Sequence, residues 1–290
     1  APEFSKIGIV NDFIFSDYDN DGLKDLIIVG EWMPITVLKN TNGQFKIINV
    51  KEFKDTEGWW NTVSEADIDN DGDLDYFFGN LGGNNKFHPS AKKPLHIYGN
   101  NFDQNASYDM VLSKLYNGNL VPVRGKECST QQNSFVSKKM PTFKSFARSN
   151  MNDIYGDKEL KQSYHKKVFQ FKSGYAVNNG KGSFTFKELP NSAQMGPTMS
   201  FVFEDVNKDG FKDVIGAGGI YEAEVETIRY DSNAGYILLG GSKGNLTPYK
   251  DLNFYNDENA KQMKLIKIKG KKHLIIGNNN AQLNIFSIYK

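Results

Sequence analysis

The sequence is poor in the features that mark several protein classes. Its 290 residues include a single cysteine, Cys128, so a disulfide framework and a thiolate metal site are both excluded. It contains no run of about 18 apolar residues, and it therefore encodes no transmembrane helix. The formal net charge is only +1, which argues against a dedicated nucleic-acid-binding surface. Residues 1–4 have neither the charged nor the apolar region of a signal peptide.

Histidine is also scarce. The four histidines are His88, His96, His165 and His273. They are scattered along the chain and form no HExxH motif, no histidine pair and no Ser/His/Asp spacing. We therefore interpret each as a turn or strand residue, and the sequence predicts no catalytic set.

What the sequence does contain favours short strands and tight turns. Aromatic residues make up 13% of the chain and there are 27 glycines, a combination typical of an all-β protein. One pattern recurs: an apolar strand, a nine-residue acidic loop, and a second apolar strand. The first loop is DYDNDGLKD (17–25), the second is DIDNDGDLD (67–75), the third is DVNKDGFKD (205–213), and the fourth is the degenerate NFDQNASYD (101–109).

Hairpin signals follow some of these copies. Residues 35–50, 174–189 and 236–249 each place an Asn/Gly/Lys turn between two strands, and 273–289 repeats the shape without acidic residues. Residues 123–167 differ, because they are rich in Lys and Ser and have helix-like spacing of apolar residues, which predicts a helical insertion. At about 50 residues per unit, the rest of the chain makes four to five four-stranded units. We expect a β-propeller over 1–290, and favour a part of a larger ring over a small closed one.

The pattern D-x-[DN]-x-[DN]-G-x-x-D has a clear chemistry. Oxygen side chains stand at positions 1, 3, 5 and 9, and the Gly at position 6 turns the chain so that the carbonyl of position 7 faces inward. Calcium takes about six to eight oxygens at roughly 2.3–2.6 Å, whereas magnesium prefers a tight octahedron and retains its waters. Carboxylates this close repel one another unless a cation lies among them. The loops therefore predict Ca²⁺ sites.

The predicted ligands follow the same positions in every loop. They are Asp17, Asp19, Asp21, Leu23 and Asp25; Asp67, Asp69, Asp71, Asp73 and Asp75; Asn101, Asp103, Asn105, Ser107 and Asp109; and Asp205, Asn207, Asp209, Phe211 and Asp213. The loop 101–109 carries amides at positions 1 and 5 and Ala106 in place of glycine, so the sequence predicts three Ca²⁺ sites and leaves the fourth open. These loops are not EF-hands, because strands follow position 9 directly and no Glu stands at position 12. We expect the ion to join the first and second strands of each unit.

Several segments resemble the FG-GAP/VCBS-repeat β-propellers, and most of all their ASPIC/UnbV-associated type in exported proteins of Bacteroidota-like bacteria. The segments that carry the resemblance are 25–40, 58–87, 98–109, 203–210 and 229–240. The resemblance implies an exported propeller, extracellular or on the bacterial outer membrane, often lipid-anchored beside TonB-dependent nutrient-uptake machinery. Ala106 departs from the pattern, and any lipid anchor would come from residues outside this chain.

A few other side chains are candidate ligand-binding residues. Trp32, Trp59 and Trp60 suit either packing between sheets or stacking on a sugar or peptide, and Arg229 and Tyr230 could line one face. Two functional classes remain. We favour a non-enzymatic, calcium-stabilised module that binds a protein or glycan at the cell surface, such as a transporter assembly or an adhesion partner. The alternative is a propeller-fold polysaccharide lyase or hydrolase with a polar cluster of His, Tyr, Arg and Asn. Fold alone does not decide between them.

Overall fold

The computed structural model of the chain describes residues 2–105, 107–224, 227–250 and 254–288, which are mostly β with few helices. The strands are β1 (Ile9–Ser16), β2 (Asp25–Met33), β3 (Thr36–Thr41), β4 (Gln44–Ile48), β5 (Gly58–Trp59), β6 (Thr62–Ala66), β7 (Asp75–Gly79), β8 (Leu95–Asn100), β9 (Asp109–Tyr116), β10 (Asn119–Pro122), β11 (Tyr164–Val168), β12 (Gly174–Asn178), β13 (Phe184–Glu188), β14 (Ser200–Glu204), β15 (Asp213–Ala217), β16 (Tyr236–Leu239), β17 (Thr247–Pro248), β18 (Ala260–Ile268), β19 (Lys271–Asn278) and β20 (Asn284–Ser287). The helices are α1 (Lys126–Gln132), α2 (Phe135–Lys139), α3 (Phe143–Ala147), α4 (Met151–Tyr155) and α5 (Asp157–Gln162).

These strands form five antiparallel sheets, which are numbered in the order in which the earliest strand of each sheet occurs along the chain. The first has the order β1-β2-β3-β4, with β5 also paired to β2; the second is β13-β12-β7-β6; and the third is β10-β9-β8-β11. The fourth is β14-β15-β16-β17 and the fifth is β18-β19-β20. In the second sheet, β7 pairs with β12 although the whole third sheet and the helices lie between them in sequence.

The chain divides into two compact units. The first unit comprises residues 1–88 and 171–290, and the second comprises 89–170. Along the sequence, the second unit therefore lies between β7 and β12, the second and third strands of the second sheet.

In the first unit, successive sheets share apolar cores. Residues of the first and second sheets, including Val29, Trp60 and Phe78, form one cluster. The second and fourth sheets share another, which includes Phe77 and Tyr236, and the fourth and fifth share a third. This layering follows from the period-2 alternation of each strand, which sends apolar side chains to both faces of the middle sheets.

The second unit packs helices on the third sheet. Phe102 and Val111 of the sheet region share a core with Val136, Met151 and Ile154 from the helices. All five described α-helices lie inside the segment 123–167 that the sequence predicts to be helical, but this segment is part of a larger unit that includes β8 to β11. Each helix has only five to seven residues, so tertiary packing stabilises it more than intrinsic propensity does.

The β-rich class predicted from the sequence is confirmed. Three predicted hairpins are present: β3 pairs with β4, β12 with β13, and β16 with β17. Over the described ranges, no helix is long and apolar enough to span a membrane.

Candidate metal centres

Each of the four acidic loops joins the first two strands of one sheet. The residue that precedes the loop pairs across the hairpin with the aspartate at position 9. The four pairs are Ser16–Asp25, Ala66–Asp75, Asn100–Asp109 and Glu204–Asp213. The position predicted from the sequence, between the first and second strands of a unit, is therefore the observed one.

The loops share one backbone conformation. The residue at position 4 is left-handed in all four, with φ between 59° and 63° at Asn20, Asn70, Gln104 and Lys208. The glycine at position 6 is also left-handed in the three regular loops, with φ between 86° and 94°. A Cβ atom on these glycines would meet no atom within 4 Å, so the backbone angle and not the available space demands glycine. Ala106, which takes this position in the fourth loop, lies outside the described residues.

The side chains at positions 1 and 5 hold the turn closed. In the first loop, Asp17 accepts hydrogen bonds from the backbone N–H groups of Asp21 and Gly22, at 3.0 and 2.9 Å. The carboxylate of Asp21 then accepts the N–H of Leu23 at 2.9 Å. The position-5 side chains of the other three loops accept the position-7 N–H in the same way, from Asp73, Ser107 and Phe211.

The second loop, 67–75, has the best geometry for a cation. Carboxylate oxygens of Asp67, Asp69 and Asp71 lie within 4.8 Å of one another. One oxygen each of Asp67 and Asp69 is buried and has no hydrogen-bond partner among the described residues. Burial raises the pKa of Asp69, and the nearby charges of Asp71 and Asp67 raise it further. Converging anionic oxygens without donors are the arrangement that a bound cation stabilises, so these residues fit a metal ion.

The first loop, 17–25, has a similar triad and also a lysine. Oxygens of Asp17, Asp19 and Asp21 converge within 4.8 Å, and Oδ1 of Asp19 is buried without a partner in the described part of the chain. The ammonium group of Lys39 on β3 contacts Asp19 and also lies 2.7 Å from Oδ2 of Asp21. This contact lowers the pKa of Asp21, and the two carboxylates raise the pKa of Lys39. A protein cation therefore already neutralises part of the first loop, and a metal ion there has to compete with it.

The third and fourth loops replace carboxylates with amides. Asn207 donates from Nδ2 to Asp209 at 2.9 Å in the third loop. In the fourth, Nδ2 of Asn101 donates to the carbonyl of Asn105, and Nδ2 of Asn105 donates to Asp103 at 2.7 Å. Amide N–H groups thus donate to some of the oxygens that a cation would bind. The fourth loop has more of these internal hydrogen bonds than the third.

The aspartate at position 9 anchors the loop from inside the protein. Asp75 is fully buried; its Oδ2 accepts the N–H of Ile68 at 2.9 Å and its Oδ1 accepts the N–H of Asn178 on the third strand of the sheet at 2.8 Å. Burial raises the pKa of Asp75 to about 6. Asp213 makes the equivalent pair of bonds in the third loop, and Asp25 bonds the third strand of its sheet. These carboxylates join three parts of each sheet, a role that the ligand prediction did not include.

Loops of neighbouring sheets also touch, which the sequence pattern did not reveal. Asn20, at position 4 of the first loop, donates to the Asp73 carboxylate of the second loop at 2.5 Å. Asn70, at position 4 of the second loop, donates to the carbonyl of Gly210 in the third loop at 2.9 Å. The left-handed residue of one loop thus contacts the next loop in the stack. The repeated Asn at position 4 is the only sequence signal of this contact.

The three tryptophans form packing contacts. Trp60 is fully buried, and its Nε1 donates to the carbonyl of Thr56 at 2.8 Å, so of the two roles that the sequence left open for it, packing between sheets is the one observed. Trp32 is 7% exposed and left-handed at φ 60°, and it packs edge-on to Trp59. Trp59 also packs against Phe171, with ring centroids 4.7 Å apart. The Nε1 of Trp59 is buried without a hydrogen-bond partner among the residues described, so Trp59 remains a candidate ligand-binding residue.

Arg229 and Tyr230 line a cavity of about 360 Å³. Asn84, Asn85 and Lys86 form part of the same wall. The guanidinium of Arg229 stacks on the ring of Tyr221 at 4.3 Å, and its Nε donates to an Asp231 carboxylate oxygen at 2.9 Å. The two residues named from the sequence therefore share one cavity.

The structure corrects the expectation that no two histidines pair. Nδ1 of His96 lies 2.9 Å from Nε2 of His165, and the ring of Tyr98 stacks on His165 at 4.2 Å. The pair forms because β11 is antiparallel to β8, which brings together residues 69 positions apart. No local pattern signals such a contact.

Comparison with known proteins supports the repeat. An FG-GAP-like repeat matches residues 17–78, which include the first two acidic loops and the strands between them. Curated protein sequences give no significant match. The chain therefore contains an FG-GAP-like repeat over these residues.

Proposed function

We propose that this chain is a calcium-stabilised binding module without catalytic activity, which acts at the surface of a bacterial cell. In this proposal its sheets form a β-propeller or a part of one, of the ASPIC/UnbV-associated type found in exported Bacteroidota-like proteins. The FG-GAP-like repeat and the common geometry of the four loops support this reading. Its partner is a protein or glycan, for example a component of a TonB-dependent transporter assembly.

The observation that carries the calcium proposal is the second loop. Three carboxylates converge there, two buried oxygens have no donor, and no lysine or arginine of the described chain pairs with them. The three acidic loops of the first unit each connect the first and second strands of a sheet. An ion bound in such a loop would hold these two strands together, which is a structural role. Calcium is the hard cation that suits this mixture of carboxylate, amide and carbonyl oxygens.

A thermal melt with excess calcium and then with chelator tests this proposal. At a calcium concentration 100 times the Kd, each site stabilises the fold by about 2.7 kcal/mol. For a domain of this size that corresponds to a Tm increase of roughly 5–10 °C for each saturated site. We expect the chain to melt higher in calcium, and native samples to contain the metal.

The matched comparison is between two double variants. Asp67→Asn/Asp71→Asn removes two carboxylates from the second loop and should lose about one site's share of the calcium-dependent shift. Asp157→Asn/Asp257→Asn removes the same formal charge at two exposed positions and should keep the whole shift. Equal calcium responses in the two double variants would reject the second loop as a metal site.

The cavity around Arg229 and Tyr230 supports a second candidate, a lyase or hydrolase that acts on acidic polysaccharides. It combines Arg, Tyr, Asn and Lys side chains, although no histidine lines its described wall. Incubation of the protein with acidic polysaccharides should release unsaturated or reducing sugar ends if this candidate is correct. Activity that disappears in Arg229→Gln would replace the binding proposal, and an absence of product would favour it.

A further inference from the structure

In the first two loops of the first unit, the residue at position 4 donates a hydrogen bond to the next loop, and the third loop departs from this pattern. Asn20 and Asn70, both at position 4, each donate to an oxygen of the next loop in the first unit. The equivalent residue of the third loop is Lys208, a cation. The next sheet is the fifth, whose first two strands are joined by the two-residue turn Lys269–Gly270 instead of an acidic loop. Lys208 therefore meets a sheet that lacks the acidic oxygens found at the earlier positions.

The fifth sheet brings further lysines to the same place. Lys267 on β18 pairs directly with Lys272 on β19. Like charges directly opposite each other in an antiparallel pair are destabilising. Glu204 neutralises one of the two lysines, because both of its carboxylate oxygens accept hydrogen bonds from Nζ of Lys272, at 2.5 and 2.7 Å. Lys267 has no counterion among the described residues.

These groups line a cleft of about 760 Å³. Its charged lining residues are Lys208, Lys267, Lys271, Lys272, Glu204 and Asp205. Both oxygens of Asp205 accept N–H groups of its own loop, from Asp209 and Gly210 at 3.2 and 3.0 Å. The carboxylate of Asp205 is thus engaged in its loop and Glu204 is engaged with Lys272. In the described part of the chain, Lys208, Lys267 and Lys271 form no ion pair.

We propose that this cleft binds an acidic oligosaccharide through carboxylate or sulfate groups; the proposal names the ligand class of the binding module and rests on that proposed function. Four lysines against two engaged acids make the cleft basic. Lysine is a flexible point charge without the fixed fork of arginine, which suits charges spread along a sugar chain. A cleft of this volume is within the range that encloses a ligand of several rings, and is far larger than one inorganic ion needs. A calcium ion bound at the third loop would strengthen the site, because it would offset the charge of Asp205 beside the cleft.

Calorimetric titration of the full chain with defined probes tests the proposal. The probes are a sulfated heparin oligosaccharide, an oligogalacturonate that carries only carboxylates, a neutral maltooligosaccharide and inorganic sulfate. We expect at least one acidic oligosaccharide to bind, its affinity to fall with salt, and the neutral sugar not to bind. The two acidic probes decide whether sulfate or carboxylate is the preferred group. Binding of inorganic sulfate alone, or of the neutral sugar as tightly as the acidic ones, would overturn the proposal.

A triple variant locates the site. Lys208→Gln/Lys267→Gln/Lys271→Gln should bind the acidic oligosaccharide about tenfold more weakly or worse, a change of about 1.4 kcal/mol. The control, Lys46→Gln/Lys92→Gln/Lys158→Gln, removes the same charge at three exposed lysines outside the cleft and outside the acidic loops, and should bind as the wild type does. Equal losses in both variants would show attraction by net charge only and would overturn the proposal. Thermal melts with and without calcium on the same samples distinguish the two proposals. If calcium stabilises the protein but no acidic sugar binds, the proposal for the cleft fails and the proposal of a calcium-stabilised module stands.

Discussion

The pair His96 and His165 leads to a specific prediction about acid pH. His96 is 8% exposed, and its Nδ1 lies 2.9 Å from Nε2 of His165. Burial, together with the charges of His165 and Lys167, lowers the pKa of His96 to about 4. Burial also lowers the pKa of His165. Both side chains are thus expected to be neutral at pH 7, with one ring nitrogen donating to the other.

The sign of the pH effect follows from these pKa values. His96 has an ordinary pKa of about 6.5 in the unfolded chain. Between pH 6.5 and 4 the unfolded state binds the proton more readily, so the contribution of His96 to stability is complete above pH 6.5 and is lost as the pH falls through this window. The difference between a pKa of 6.5 in the unfolded chain and about 4 in the folded one corresponds to about 3.4 kcal/mol of unfolding free energy. Because His165 is exposed and water screens the pair, we expect about half of this, ~1.5–2 kcal/mol.

Two measurements check this prediction. An NMR titration of the imidazole signals should place the midpoint of His96 well below 6, and a midpoint near 6.5 would refute the reasoning. Urea unfolding of the wild type and His96→Phe at pH 7 and pH 4.5 should show the wild type losing more stability on acidification than the variant. The control is His88→Phe, which removes an exposed imidazole; if its effect on the pH dependence equals that of His96→Phe, the prediction fails.

Two further substitutions test how buried polar groups hold the sheets. Asp75→Ala leaves the N–H groups of Ile68 and Asn178 without their acceptor, but it also removes a buried carboxylate. We expect the two effects together to lower the free energy of unfolding by about 2–4 kcal/mol, measured by urea denaturation. Asp75→Asn keeps one acceptor and should lose less; equal losses would contradict this account. Tyr236→Phe removes a fully buried hydroxyl that lies 3.0 Å from Oγ1 of Thr198, and should lower the free energy of unfolding by about 1–1.5 kcal/mol. A stability equal to the wild type would mean that this contact contributes nothing.

The sequence predicted the local part of the candidate site well. Residues within nine positions of one another fix the geometry of a loop, so the turn at the position-6 glycine and the flanking strands could be inferred from one copy. Positions 1 and 5 were predicted as metal ligands, and their hydrogen bonds to the turn were not predicted. Repetition at 17–25, 67–75 and 205–213 strengthened the inference. The carboxylates at positions 1, 3 and 5 do converge in the first two loops.

Position 9 shows where local inference stopped. The pattern predicted Asp75 as a metal ligand, and the structure adds a contact that the pattern did not predict: Asp75 lies inside the sheet and accepts an N–H group from Asn178, 103 residues away. Lys39 is a similar case, because its approach to Asp19 and Asp21 depends on the pairing of β3 with β2. Strand pairing decides such contacts, and the spacing of residues within one motif carries no information about it.

The sequence by itself determined the β-rich class and the acidic loops, because turn chemistry and strand alternation are properties of short segments, and it predicted a hard cation as the ligand of those loops. Only the tertiary structure decided which loops touch, which tryptophans are buried and which charges share a cleft. The second unit, 89–170, separates β7 from its partner β12, so no count of repeats along the chain could give the order of strands. His96 with His165, and Lys208 with Lys267, are likewise distant in sequence. Their proximity depends on the stacking and register of whole sheets, which are set by the burial of apolar faces throughout each unit.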